Sequence, residues 1–394
     1  MNETMRELGA KRSVIRELFE YGNKRRAEIG AENVFDFSLG NPSVPAPDAV
    51  QKELVRLLSE TSPVALHGYT SAQGDPNVRR AIAEYLNKTY DAGVDANLIY
   101  LTVGAAASLT VSLTAILNPE DEVILLAPFF PEYRVFVERT GAKAVTVLSD
   151  LGDFQPDFEA LASAITPRTR AIIVNSPNNP TGAVLTEESI RRLTELLSKK
   201  QEQYQAPIYL ISDEPYRELV YGDIEVPYLT NYYDNTVVCY SFSKSLSLPG
   251  ERIGYVLVSP KAENAGALYE AVCGAGRALG FVCAPALFQK MIPACLGMTS
   301  DLSVYRTNRQ LLLDALTEYG FRVVKPDGAF YLFVESPEAD ANAFAERAKG
   351  LELLLVPSDS FGCPGFVRIS YCVSTEQIER SLPAFKKLAE SYGL

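Results

Sequence analysis

The chain has 394 residues, 47 % of them hydrophobic and 22 % charged, a length that suggests two or three domains and buries a large core without staples. One histidine, His67, and no tryptophan exclude zinc sites built on several imidazoles, and a Ser-His-Asp or Cys-His site is possible only around His67. The balance of 37 Lys+Arg against 49 Asp+Glu gives a net charge of −12 and speaks against nucleic acid or an anionic membrane as partner.

The first thirty residues are charged throughout, and no later segment approaches the roughly 18 apolar residues of a membrane span, so the expectation is a cytoplasmic protein. Six scattered cysteines without a CxxC pair read as reduced, buried thiols. Residues 13–30 have the apolar spacing of a surface helix, FDFSLGNPSVPAPDAV runs extended, and a helix follows near 48–59. From about residue 98 short β-branched runs (LIYLTV, EVILLA, AVTVLS, AIIVNS, IYLISD, TVVCYSFS, IGYVLVS) alternate with helical stretches at 104–117, 131–140, 157–165 and 186–203. That alternation predicts an α/β domain over residues 50–285, with a mostly parallel sheet covered by helices. A helix over 298–319, the strands FRVVK, AFYLFV, LELLLVP and FVRISYC, and a helix over 375–391 predict a smaller α+β domain. It combines residues 286–394 with residues 1–49.

Lys244 ends the apolar run TVVCYSFSK, where burial lowers an amine's pKa and frees it for Schiff-base chemistry. Ser241, Ser243 and Arg252 are the residue types that hold a phosphate. The turn from strand into helix at Gly104-Ala105-Ala106 offers free N–H groups to the same anion. In FVRISY, period-2 alternation separates Arg368 from Val367 and Ile369. The spacing G-x-G-x-x-x-G at Gly274, Gly276 and Gly280 is rejected as a dinucleotide motif, because ALYEAVC before it reads as a helix. Nothing in that spacing assigns a role to Arg277, and His67 reads as a hydrogen-bonded structural residue.

The string S-x-S-K-x-x-x-L-x-G-x-R-x-G at 241–254 resembles the lysine signature of the class I/II aminotransferases, pyridoxal-phosphate enzymes of the aspartate-aminotransferase fold. LGNP at 39–42, Tyr69 in HGYTSAQG, TVG at 102–104, SPNNPTG at 176–182, SDEPY at 212–216, PDGAFY at 326–331 and VRIS at 367–370 follow the family's order. The resemblance implies that Lys244 forms a Schiff base with pyridoxal phosphate and then acts as general base and acid. It places Asp213 at the ring nitrogen, Tyr216 and Asn179 at the ring hydroxyl, and Arg368 at the substrate α-carboxylate, with Gly40 and Asn179 beside the substrate. Tyr69 matches a tyrosine reaching the neighbouring subunit's phosphate, which implies a homodimer with a shared active site. Two positions depart from better-known members: Ala106 replaces a hydroxyl residue, and ring stacking falls to Phe130 in APFFPEY, with Phe129 and Tyr133 as near alternatives. The implied reaction is ping-pong transfer of an amino group between an L-amino acid and a 2-oxo acid; the alternative is a carbon–sulfur β-lyase of the same fold.

Overall fold

A computed structural model describes residues 1–10 and 13–394. Its strands are β1 (Phe35–Asp36), β2 (Ile99–Thr102), β3 (Glu122–Ala127), β4 (Lys143–Leu148), β5 (Thr169–Asn175), β6 (Tyr209–Glu214), β7 (Thr236–Ser241), β8 (Gly254–Val258), β9 (Val323–Val324), β10 (Tyr331–Glu335), β11 (Leu353–Leu354), β12 (Val356–Pro357) and β13 (Phe366–Ser370). Seven of them form one sheet in the order β2-β8-β7-β6-β5-β3-β4. β8 runs antiparallel to both neighbours, while the pairs from β7 to β4 are parallel. Every residue of β7 is buried, which explains why TVVCYS reads as a continuous apolar run without alternation.

The carboxyl ends of the parallel strands build one edge, where ligands of open α/β sheets bind. Register sets Asn175 of β5 beside Asp213 of β6, and Ser241 of β7 and Thr102 of β2 on either side of Gly254. Gly254 admits no side chain: a Cβ there would lie 2.3 Å from the Tyr240 carbonyl oxygen and 3.1 Å from Gly104 Cα. This close approach brings the turn after β2 and the carboxyl end of β7, which leads into Lys244, together.

The smaller sheet has the order β12-β13-β10-β9 and is antiparallel throughout. The helices Ser303–Glu318 and Thr375–Glu390 bury Leu312, Leu316, Phe385 and Leu388 against its face, together with Phe330, Leu332 and Ile369. β1 pairs in parallel with β11, which ties the N-terminal segment to the C-terminal part of the chain. Leu18 of the helix Val14–Ile29 packs there against Leu354, Val356, Phe361 and Phe366.

Several elements differ from expectation. LELLLVP is not one strand: Leu353–Leu354 pairs with β1 and Val356–Pro357 with β13, so the chain changes partners at Leu355. The helix expected from 298 begins at Ser303, whose N–H is held by the Asp301 carboxylate at 2.8 Å. FRVVK is a strand only at Val323–Val324, and the helices Glu3–Ala10, Pro63–His67, Pro76–Tyr90, Ala286–Met291 and Ala341–Lys349 were not foreseen. No helix among the described residues is long and apolar enough to cross a membrane.

Candidate active site

Asp213 ends β6 as a buried carboxyl, and desolvation pushes its pKa up to about 7. The Tyr133 hydroxyl donates to Oδ2, the Asn175 amide donates to the Asp213 backbone oxygen at 2.9 Å, and Oδ1 has no partner. A buried carboxylate oxygen without a donor is costly unless a ligand supplies one. One strand over, Ser241 Oγ lies 2.6 Å from Ser243 Oγ and accepts from the Ser243 N–H at 3.2 Å. Gly104, with φ +93°, caps the helix Ala105–Ile116 without a side-chain acceptor, so the first N–H groups of that helix stay free for an anion. A Cβ on Gly104 would stand 2.9 Å from Arg252 Nη2, so glycine is what lets that guanidinium approach the helix start.

Lys244 follows β7 in the short helix Phe242–Ser245, and its Nζ donates to the Gly40 carbonyl at 2.6 Å. Burial lowers its pKa to about 8, and the neighbouring Arg368 and Arg252 guanidiniums push in the same direction. Arg368 of β13 is buried, donates from Nη1 to Asn179 Oδ1 at 3.0 Å and from Nη2 to the Ser38 carbonyl, and leaves Nε without a partner. Its guanidinium carbon lies 4.8 Å from the centre of the Tyr331 ring, whose hydroxyl is 2.8 Å from that of Tyr216. Gly40 is a glycine because a Cβ there would fall 2.1 Å from the Tyr331 hydroxyl.

These groups share a cavity of about 300 Å³. It is lined by every residue assigned to the site from the sequence except Gly104, which stands behind Arg252, and Tyr69, which is 99 % exposed; the alternative stacking residues Phe129 and Tyr133 do not line it. Of the three candidate stacking residues, Phe130 lines the cavity. Phe129 instead packs near Gly362, and Tyr133 turns to Asp213. Asn175 and Tyr331 were missed as site residues. AIIVNS and PDGAFY contain them, but only strand register and the crossing of the two sheets bring them to the cavity. The G-x-G-x-x-x-G spacing falls largely within the helix Ala265–Ala278, where Gly276 makes room for the Tyr100 hydroxyl. Arg277 is exposed. His67 is exposed too and makes no hydrogen bond among the described residues, because it ends the short helix Pro63–His67 with its side chain in solvent. The structural role expected of it is therefore not found.

The donor set fits pyridoxal phosphate: an unpartnered carboxylate oxygen for a protonated ring nitrogen, an uncapped helix start with two serines and an arginine for a phosphate, and an amine of lowered pKa.

The family described as aminotransferase class I and II matches residues 32–385. An aspartate aminotransferase of Thermotoga maritima is 29 % identical over 365 residues, covering 91 % of this chain and 92 % of its own. An aspartate/prephenate aminotransferase of Thermus thermophilus is 33 % identical over 356 residues, 89 % of each chain. Among solved structures, an amino transferase of Eubacterium rectale has a TM-score of 0.98 at 56 % identity, covering 100 % of this chain and 99 % of that one. The aspartate aminotransferase of Thermus thermophilus with maleate has a TM-score of 0.85 at 28 % identity, covering 97 % and 98 %.

Proposed function

Because this chain belongs to the class I and II aminotransferases and is a pyridoxal-phosphate-dependent aminotransferase, we propose the following roles for its residues. When bound, the cofactor supplies a carbonyl that condenses with amines and a ring that withdraws the electron pair left at the substrate Cα. Ser241, Ser243, Arg252 and the N–H groups of Ala105 and Ala106 hold its phosphate, and Phe130 covers the ring. Asp213, as carboxylate, keeps the ring nitrogen protonated, while Tyr216 and Asn179 hold the ring hydroxyl. Arg368 grips the α-carboxylate of the amino acid in a two-pronged contact that also gives its unpartnered Nε an acceptor. Neutral Lys244 would take the proton from the substrate Cα and, as the resulting ammonium, give it to the carbon that was the cofactor's carbonyl, doing with an amine what other enzymes do with imidazole.

The observation that carries this reading is the coincidence, on one cavity, of the unpartnered Asp213 Oδ1 and an amine pulled down to about pH 8. The substrates are an α-amino acid and a 2-oxo acid; relatives named for aspartate and prephenate make dicarboxylic donors the first to assay. We further propose a homodimer in which Tyr69 reaches the partner's phosphate site, supported by its full exposure in the single chain. We also propose moving the boundary between the two units from residue 285 to near residue 298, supported by the packing of Met291, Ile292 and Cys295 with Leu57, Ile82 and Leu257.

The test adds pyridoxal phosphate to purified protein, then amino acids one at a time, while the visible absorbance is followed. A donor that bleaches the band and a 2-oxo acid that restores it are expected. Lys244→Ala with full turnover, or release of pyruvate and thiol from a cysteine conjugate without any acceptor, overturns the assignment.

A further inference from the structure

We propose that Tyr133 is a positioning residue for the cofactor: its hydroxyl fixes the Asp213 carboxylate and favours its ionised form, leaving Oδ1 as the acceptor for a protonated ring nitrogen. This inference rests on the role given to Asp213 above.

Tyr133 is buried in the helix Glu132–Glu138, which follows β3, and its O–H donates to Asp213 Oδ2. The same short helix packs edge-on against Phe130, with ring centroids 5.7 Å apart and planes at 84°. One element therefore holds both the cavity's aromatic cover and the donor to its carboxylate. Among the described residues, no other side chain hydrogen-bonds that carboxylate. The remaining titratable groups near it are Glu214 next in sequence, Tyr216, and Cys239 opposite in register, and none is a cation. Glu214 opposes ionisation and is itself taken up by Arg217. Lys244 lines the same cavity but makes its hydrogen bond to Gly40. Among the described residues, the Tyr133 hydroxyl is thus the one side-chain donor that favours the carboxylate over the acid before the cofactor arrives.

A phenol suits this task in a chain whose single imidazole lies elsewhere. Burial and the adjacent carboxyl hold the Tyr133 hydroxyl far above its ordinary range, so it keeps its proton, and remains a donor, at every working pH. An imidazole in its place would titrate near neutrality and carry that titration into cofactor binding.

The test measures binding of pyridoxal phosphate to cofactor-stripped protein by visible absorbance between pH 5.5 and 9, in wild type, Tyr133→Phe, Tyr133→His and Asp213→Asn. Loss of a charge-assisted donor predicts that Tyr133→Phe weakens binding by about 10- to 100-fold and moves the pH at which binding tightens upward. Tyr133→His, which keeps an N–H donor, restores part of the affinity with a new pH dependence near neutrality. If wild type shows no lysine-linked band, the cofactor site itself is wrong. If Asp213→Asn matches wild type, the role of Asp213 fails and this inference with it. If Asp213→Asn weakens binding while Tyr133→Phe keeps the wild-type affinity and pH profile, the inference alone is overturned.

Discussion

Protonation of one amine controls entry of the cofactor, because only neutral Lys244 attacks a carbonyl. With that amine pulled down to about 8, its neutral fraction grows about tenfold per pH unit well below that value and saturates above it. The rate at which cofactor-stripped protein captures pyridoxal phosphate is therefore predicted to rise about tenfold from pH 6 to 7 and to level off above about pH 9. Stopped-flow absorbance checks this, and a rate that keeps climbing about tenfold per pH unit beyond pH 9 would show that burial does not tune the lysine. Arg368 gives a second prediction. Arg368→Lys offers a point charge where a planar fork stood, so KM for the amino acid should rise about 10- to 100-fold with a smaller change in kcat. Lys244, Asp213 and Arg368 were legible from sequence because the chemistry demands those residue types inside recognisable strings. Tyr133 was read as a possible ring cover, and nothing in APFFPEY says that its hydroxyl turns to Asp213. Tyr331 was invisible for a similar reason: its neighbours Gly40, Tyr216 and Arg368 come from three distant parts of the chain.

The segment leaving β6 carries Tyr216 into the cavity and is anchored from behind by Arg217. That arginine binds Glu214 from Nε at 2.5 Å and Nη2 at 2.8 Å, donates to the carbonyls of Val226 and Pro227, and lies 4.8 Å from the Tyr228 ring centre. Both charged partners are almost fully buried. Removing one partner of such a pair strands the other, so Arg217→Met should lower stability by about 3–5 kcal/mol in urea unfolding of the cofactor-stripped protein. Adding Glu214→Gln should recover much of that loss, because the stranded charge is then gone. A loss unchanged by the second substitution would assign the effect to the carbonyl and ring contacts. At this scale the parallel strands were readable as buried β-branched runs, and β3 falls on EVILLA as expected. LELLLVP misled because its apolar pattern is shared by two partners: a parallel one, β1, and an antiparallel one, β13. Hydrophobicity records burial, not which edge a strand joins.

The cavity is a product of the whole chain. Asp213 comes from the seven-stranded sheet and Lys244 from the short helix that follows its strand β7, Arg368 from the four-stranded sheet, and Gly40 from the N-terminal segment that β1 ties to β11. The order of motifs made that assembly expected, since residues brought together by one reaction must meet in space; the mostly parallel course of the strands was readable, whereas the sheet order and the antiparallel direction of β8 were not. Tyr69 remains outside, fully exposed beside the exposed Val64, and that placement makes shared sites testable. In a two-fold dimer each site takes Lys244 from one protomer and, on the reading above, Tyr69 from the other. Lys244→Ala protein has no working lysine, and Tyr69→Ala protein has lysines with an impaired phosphate contact. When the two are unfolded, mixed in equal amounts and refolded, half of the dimers are mixed, and one of their two sites combines a native Lys244 with a native Tyr69. Random pairing thus predicts recovery of about a quarter of wild-type activity per site, above the share contributed by the Tyr69→Ala dimers. Were Tyr69 to serve its own protomer's site, every surviving lysine would lie beside an alanine at 69, and mixing would only dilute the Tyr69→Ala activity. Activity at or below that diluted level therefore counts against a site completed across the dimer.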